Sequence, residues 1–370
     1  MEFSVSRADL VKELGLSQGV VEKKTTIPVL SNVLIEAKDG EIVLTSTDLE
    51  LGIRCVCQGA VKRTGASTLP SRKLLDYVRL LPDQDLQVKI SETHSASITC
   101  GRSRTRMAGM SRENFPELPK MPAALAQIPA GLLAGLIRRT AFAVSTEGSR
   151  YTLNGALMLL KAEAITMVST DGHRLAFIEA SHAFEGFGGQ LRALVPRKAM
   201  MEIQKLAEEG GGSMTVTLAS DENHLFFQFG KRLLITRKLT GQFPDYERVL
   251  PRERNQEVTI SREELEASVR RVSQFADERS HAIRVSLAPG EVKLASSGSE
   301  AGESEETLPV TGGAGQVQIG FNAEYLLDFL GAGATETVTL DLKDEQSAGL
   351  IRPVGETEYD YRYVIMPMRI

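Results

Sequence analysis

Apolar residues return along this chain at two spacings, one helical and one strand-like, and the alternation between them is played three times. Stretches with helical return open three segments, at Ser6-Arg7-Ala8-Asp9-Leu10-Val11, Pro129-Ala130-Gly131-Leu132-Leu133-Ala134 and Ser261-Arg262-Glu263-Glu264-Leu265-Glu266. In the first and third, a serine at the N-cap position precedes acid in the first turn, the arrangement that satisfies the free N–H groups of a helix start. A second helical stretch follows in each segment, at Ser71-Arg72-Lys73-Leu74-Leu75, Pro196-Arg197-Lys198-Ala199-Met200 and Phe321-Asn322-Ala323-Glu324-Tyr325. Arg72, Arg197 and Asn322 are separated by two equal intervals of 125 residues, and self-similarity at a fixed period marks a repeated module.

Strict alternation fills the space between the helical stretches, as in Glu41-Ile42-Val43-Leu44-Thr45, Leu86-Gln87-Val88-Lys89-Ile90, Met214-Thr215-Val216-Thr217-Leu218 and Thr337-Val338-Thr339-Leu340-Asp341. Period two predicts strands with one buried face, and turn pairs such as Asp39-Gly40 and Pro289-Gly290 separate them. The pattern predicts an α+β chain of three repeated units, each with two helices packed on antiparallel sheets. Proline-rich stretches mark the boundaries: Phe115-Pro116-Glu117-Leu118-Pro119, Phe243-Pro244-Asp245-Tyr246 and Tyr363-Val364-Ile365-Met366-Pro367-Met368. Domains of roughly 1–121, 122–251 and 252–370 follow, each near the common domain size.

Composition sharpens this in four respects. A chain that is 42% hydrophobic and 25% charged is ordinary for a globular protein, so long disorder is not expected. No apolar run approaches the ~18 residues of a membrane span, and Met1-Glu2-Phe3-Ser4-Val5 lacks a signal-peptide pattern, so a cytoplasmic chain is expected. Cys55 and Cys57 stand two apart in a strand-like run and share a face, without a histidine or second pair to complete a metal site; no metal and no cofactor are expected. The net charge of −5 argues against a protein that coats DNA over its whole surface, though a ring or groove can be acidic outside and basic inside.

The final residues, Tyr363-Val364-Ile365-Met366-Pro367-Met368-Arg369-Ile370, closely resemble the C-terminus of the bacterial DNA sliding clamps, the beta subunits of the replicative DNA polymerase. Pro28-Val29-Leu30-Ser31-Asn32, Thr47-Asp48-Leu49-Glu50, Ser169-Thr170-Asp171-Gly172-His173-Arg174-Leu175 and Phe243-Pro244-Asp245-Tyr246-Glu247-Arg248-Val249 are similar to that family's characteristic stretches, so the resemblance spans the chain. It implies a head-to-tail homodimer of three-domain subunits forming a six-domain ring around duplex DNA, held without sequence preference and without catalysis. It also implies partners that dock short linear motifs: the DNA polymerase III alpha subunit, the clamp loader delta subunit, other polymerases and repair proteins. No membrane partner is implied.

A sliding clamp attracts phosphates at long range and avoids contacts to bases. Lys24 stands where resembling clamps place a DNA-contacting base, and Arg72, Lys73, Arg79, Arg197, Lys198 and Lys205 lie on the second helices, with Arg138 and Arg139 as further candidates. The third unit breaks the pattern with Asn322-Ala323-Glu324. For ring closure, Lys73, Arg102, Arg104 and Arg106 form a basic edge to meet Glu300, Glu303, Glu305 and Glu306, with Phe275 beside Gln274 as the apolar anchor. Carried over position by position, the partner cleft comprises Leu153, Thr170, Gly172, His173, Arg174, Leu175, Pro244, Arg248, Val249, Gln346, Ala348, Val364, Met366, Pro367, Met368 and Arg369. Apolar side chains make its floor, and arginines at its rim set peptide direction.

Two rival readings compete with this one. A metal-dependent hydrolase would use Asp48, Asp171 and His173, but the repeat assigns them to different units, and no nucleophile motif or P-loop accompanies them. A repeat scaffold with no DNA role is the other, and gel filtration with retention on nicked circular DNA after loading would tell it apart.

Overall fold

The computed structural model describes residues 1–21, 26–211, 213–251, 256–298, 302–313, 315–333, 335–355 and 358–369. Among these residues are six α-helices: α1 (Arg7–Ser17), α2 (Ser71–Arg79), α3 (Ala130–Arg138), α4 (Arg197–Glu209), α5 (Arg262–Val272) and α6 (Ala323–Ala332). They start where the pattern places them. The expected serine caps are present, Ser6 accepting the N–H of Asp9 at 3.5 Å and Ser261 that of Glu264 at 3.3 Å. In α6 the position equivalent to Arg72 and Arg197 is the N-cap itself, where Asn322 accepts the N–H groups of Glu324 and Tyr325 at 2.8 and 3.4 Å. The third unit therefore has a cap where the others have a base.

The chain forms two compact units, residues 1–131 with 205–238 and residues 132–204 with 239–370. The first holds a 12-stranded antiparallel sheet. One edge is Ser103–Ala108; the order then runs through Ser95–Cys100, Asp85–Ile90, Glu2–Ser6, Leu51–Arg63, Arg232–Arg237, His224–Phe229 and Thr215–Ser220 to Ala124–Pro129. The join between repeats is the pairing of Leu51–Arg63 with Arg232–Arg237, in register Ile53↔Leu234. An ion triad braces it: Arg232 donates to Glu13 of α1 at 2.6 and 2.8 Å and to Glu209 at 2.8 Å.

The second unit repeats the device. Its 9-stranded sheet joins Arg174–Ser181 of the second repeat to Tyr359–Ile365 of the third, in register Leu175↔Val364 and Ala176↔Tyr363. A separate 4-stranded sheet runs Gly302–Pro309, Glu291–Gly298, Ala282–Ala288, Val317–Asn322, and α5 and α6 pack on each other in the same unit. Compact units thus cut across the repeats, because the central repeat gives half its strands to each sheet.

The cysteines behave as core residues. Cys55 and Cys57 both face inward on one strand, Cys100 is buried on another, and all three are free thiols. Burial pushes the Cys57 thiol up to about 12 and Cys55 well above its usual range, so neither forms a thiolate near neutral pH. Among the described residues no helix is long and apolar enough to cross a membrane.

Candidate functional site

The two Thr-Asp motifs of the sequence are turns built from the same bonds. Thr170 Oγ1 donates to the carbonyl of Arg174 at 2.6 Å and accepts the N–H of Gly172 at 3.1 Å, while Asp171 Oδ1 accepts the N–H groups of His173 and Arg174 at 2.9 and 3.0 Å. In the first unit Thr47 Oγ1 donates to Leu51 O at 2.9 Å and accepts from Leu49 N at 3.0 Å, and Asp48 Oδ1 accepts from Glu50 and Leu51. The third turn residue is left-handed in both, Gly172 at φ +92° and Leu49 at φ +80°. Asp171 is consumed by the turn and by Arg174 Nε at 2.9 Å, and Asp48 and Asp171 belong to different units, so these carboxylates do not form one constellation for hydrolysis.

Beside the second turn lies an apolar cavity of about 140 Å³. Leu153, Thr170, Gly172, Arg174, Leu175, Pro244, Val249, Val364 and Met366 line it, all expected from the sequence, together with Tyr246, which that reading did not assign to the cleft. Tyr246 sits behind Pro244 in the Phe243-Pro244-Asp245-Tyr246 motif and stacks on Phe177 with ring centroids 5.9 Å apart; an aromatic in a stretch otherwise assigned to the cleft was the available signal. Leu175 and Val364 form a buried floor, whereas Val249 and Met366 are exposed at 40% and 43% and leave the cavity open to an apolar partner.

The remaining expected cleft residues divide. The His173 side chain is exposed in the turn, and its carbonyl accepts the N–H of Met366 at 2.8 Å. Arg248 is held by Asp245 at 2.7 Å, and Ala348 packs against the core beneath the floor. Gln346, Pro367, Met368 and Arg369 line a different, polar cavity of about 690 Å³. Arg174 is a wall and a strut. Its Nε, Nη1 and Nη2 donate to Asp171, Asp328 and the carbonyl of Phe142, and the Tyr325 ring covers the guanidinium at 4.2 Å. Three of its five N–H groups are thus committed inside the chain, and they fix its position in the cavity wall.

Of the expected phosphate-attracting residues, Arg72, Lys73 and Arg79 on α2, Arg138 on α3 and Arg197, Lys198 and Lys205 on α4 are exposed. Arg139 is half-buried, donating to Gly135 O at 3.1 Å with its guanidinium over the Tyr359 ring; Lys24 lies outside the described residues. The bases of α5 are ion-paired within the third repeat: Arg262 and Arg270 share Glu266 at 3.0 and 2.6 Å, and Arg271 pairs with Glu306 at 2.6 Å.

Most of the expected charged ring-closing residues lie along sheet edges, with Lys73 on α2 and Gln274 and Phe275 in the turn after α5. Arg102, Arg104 and Arg106 are exposed along the edge at Ser103–Ala108, and Glu303 and Glu305 along the edge at Gly302–Pro309; Glu300 lies outside the described residues. Strand alternation turns Glu306 to the opposite face. There, hydrogen bonds from Arg271 and Ser268 hold its carboxyl down to about 2, while Glu305 pairs with Lys293 of the adjacent strand at 2.6 Å. Phe275 is 37% exposed, a large apolar side chain in contact with solvent, and Gln274 donates to Arg270 O at 3.3 Å.

Comparison with known proteins gives a consistent result along the chain. Families described as DNA polymerase III beta subunit N-terminal, central and C-terminal domain match residues 1–119, 127–245 and 247–369. A beta sliding clamp of Chlamydia pneumoniae is 36% identical over 100% of this chain and 99% of its own length, and one of Pseudomonas putida is 35% identical over 100% of both. Among solved structures, the DNA polymerase III subunit beta of Pseudomonas aeruginosa aligns with TM-score 0.93 at 34% identity, and a C. crescentus beta sliding clamp with TM-score 0.93 at 33%, each covering 100% of both chains.

Proposed function

The chain belongs to the DNA polymerase III beta subunit family of sliding clamps, and on that premise we propose that it encircles duplex DNA as a head-to-tail homodimer and tethers replication proteins through the apolar cleft. Its domains in this reading are residues 1–121, 122–251 and 252–370, six of them to a ring. The edge at Ser103–Ala108 of one copy meets the edge at Gly302–Pro309 of the next, Arg102, Arg104, Arg106 and Lys73 facing Glu303 and Glu305. Two unpaired strand edges of opposite charge favour that orientation, and Phe275 supplies the apolar anchor.

The ring is a tether with no active site, working in the cytoplasm and loaded by an ATP-driven partner. Exposed Arg72, Lys73, Arg197 and Lys198 at equivalent helix starts attract phosphates without reading bases. The cleft takes the leucine and phenylalanine side chains of short motifs from the polymerase alpha subunit, the loader delta subunit, other polymerases and repair proteins.

The observation that carries this reading is the preformed cavity whose lining comes from both sides of the Leu175↔Val364 strand pairing. Leu175→Ala with Met366→Ala tests it. The variant is expected to remain dimeric by solution mass and to stay on nicked circular DNA after loading, while losing affinity for a leucine- and phenylalanine-containing peptide at least tenfold, as removal of two apolar contacts of ~1 kcal/mol or more requires. Loss of the dimer, or unchanged peptide affinity, contradicts it.

A further inference from the structure

The joint between the first and central repeats carries a cavity of about 510 Å³ that the proposed function leaves unused. Its floor is one row of side chains across four strands: Leu34 lies opposite Thr45, Thr45 opposite Arg54, and Arg54 opposite Leu233. Cys55 and Cys57 point the other way from the Arg54 strand, toward α1, where Cys57 Sγ donates to Asp9 O at 3.8 Å. The cavity therefore opens on the sheet face turned away from α1. Its wall is the connector that follows Phe115, and Leu118 reaches down from it to Gly52, where a Cβ would stand 3.0 Å from the leucine side chain.

The same row in the second unit is solid. Counted from the matching turns at Thr47 and Thr170, Leu34, Thr45, Gly52 and Arg54 correspond to Leu157, Val168, Leu175 and Phe177, and the strands pair in the same registers. Those four residues belong to one buried apolar cluster, in which Phe177 stacks on Tyr246. In the first unit a threonine, a glycine and an arginine replace the valine, leucine and phenylalanine. The apolar filling is gone, and an exposed cation stands in the floor.

The acids on this face of the sheet already have partners, Glu36 accepting from Arg112 at 3.1 Å and Glu41 from Lys231 at 2.7 Å. On the lining that leaves Arg54 and Lys120 against Glu117 of the connector. Leu34, Leu118, Met121, Leu233 and Ile235 supply apolar surface beside the cation. Such a lining favours a ligand with an apolar body and a carboxylate, the anion whose planar shape matches a guanidinium fork.

We propose that this cavity is a second docking site, for a short segment of a partner protein in which leucine-like side chains neighbour a carboxylate, with Arg54 as the residue that selects the acid. The apolar lining and the Glu117 carboxylate suit a peptide better than a phosphate backbone. The site stands without the reading of the apolar cleft, whose lining belongs to the other compact unit.

The test uses the full chain and two labelled peptides in low salt, a leucine-rich peptide carrying two glutamates and the same peptide with glutamines in their place. The glutamate peptide is expected to bind the tighter on the order of fivefold, the upper size for an exposed charge pair. That preference should vanish in Arg54→Gln and reverse in Arg54→Glu, with thermal unfolding as in the parent reporting that both fold. Arg54→Phe, which rebuilds the filling of the second unit, is expected to lose both peptides. Leu175→Ala with Met366→Ala, which alters only the apolar cleft, should keep the preference. The proposal is overturned if neither peptide binds the parent, if the preference survives in Arg54→Gln, or if the cleft variant abolishes it, which would put the glutamate peptide in the cleft.

Discussion

Arg174, on the second repeat, donates through Nη1 to Asp328 on α6 of the third at 2.5 Å. The Arg174 side chain is 9% exposed and the Asp328 side chain 43%, so one end of the pair is desolvated and the other remains wet. With Asp171 and the Phe142 carbonyl on its other nitrogens, the guanidinium ties the cleft turn to the neighbouring repeat.

Arg174→Ala is therefore expected to destabilise the chain by about 3 kcal/mol, the lower end for breaking a buried pair, since Asp328 can return to water. Asp328→Ala should cost about 1 kcal/mol, and Arg174→Lys should not restore the parent, because an ammonium cannot occupy three directions of a planar fork. Urea unfolding measures all three, and equal stability of the Lys variant would refute the strut.

DNA attraction should be unequal among the repeats. In α5 the arginines are ion-paired with Glu266 and Glu306, whereas Arg72 and Arg197 are exposed at helix starts. Arg72→Ala or Arg197→Ala is expected to reduce the salt-dependence slope of duplex binding by roughly 1 to 2, two copies being present in a dimer, and Arg270→Ala to leave it unchanged. A salt titration of binding decides, and equal slopes for all three variants would remove the asymmetry.

Glu306 provides a pH test. Its carboxyl is held at about 2 against a usual 4.5, first by the hydrogen bonds from Arg271 and then by the one from Ser268. A depressed folded pKa contributes stability that is full above pH 4.5 and fades as pH falls toward 2. Glu306→Gln should melt below the parent at pH 7, and the difference should close across that acid window. A gap that persists below pH 2 would mean that Glu306 acts through packing instead of charge.

Leu49 sits at φ +80° where the equivalent turn has Gly172, and its side chain is 53% exposed. Left-handed backbone in a non-glycine residue costs ~1 kcal/mol or more, and little apolar burial is lost on removal of this side chain. Leu49→Gly is expected to raise stability by up to about 1 kcal/mol, offset in part by glycine's freedom in the unfolded chain. The converse, Gly172→Leu, should destabilise, because at φ +92° any L side chain is strained. Thermal unfolding of the two variants in opposite directions is the expected signature.

The sequence alone determined the local elements. Caps at Ser6 and Ser261, helical return in α1 to α6, strand alternation and the Thr-Asp turns depend on residues within a few positions of each other, and those interactions are written in consecutive letters. The resemblance carried over by residue number also named nine lining residues of the cleft. Tertiary structure decided what depends on partners far along the chain. It divided the chain into units that cut through the central repeat, because strands pair across repeats. It committed Arg174 to Asp328, 154 residues away, and turned Glu306 toward Arg271. It sent Met366 into one cavity and Pro367, Met368 and Arg369 into another, since a side chain's role is set by which surface folding brings against it.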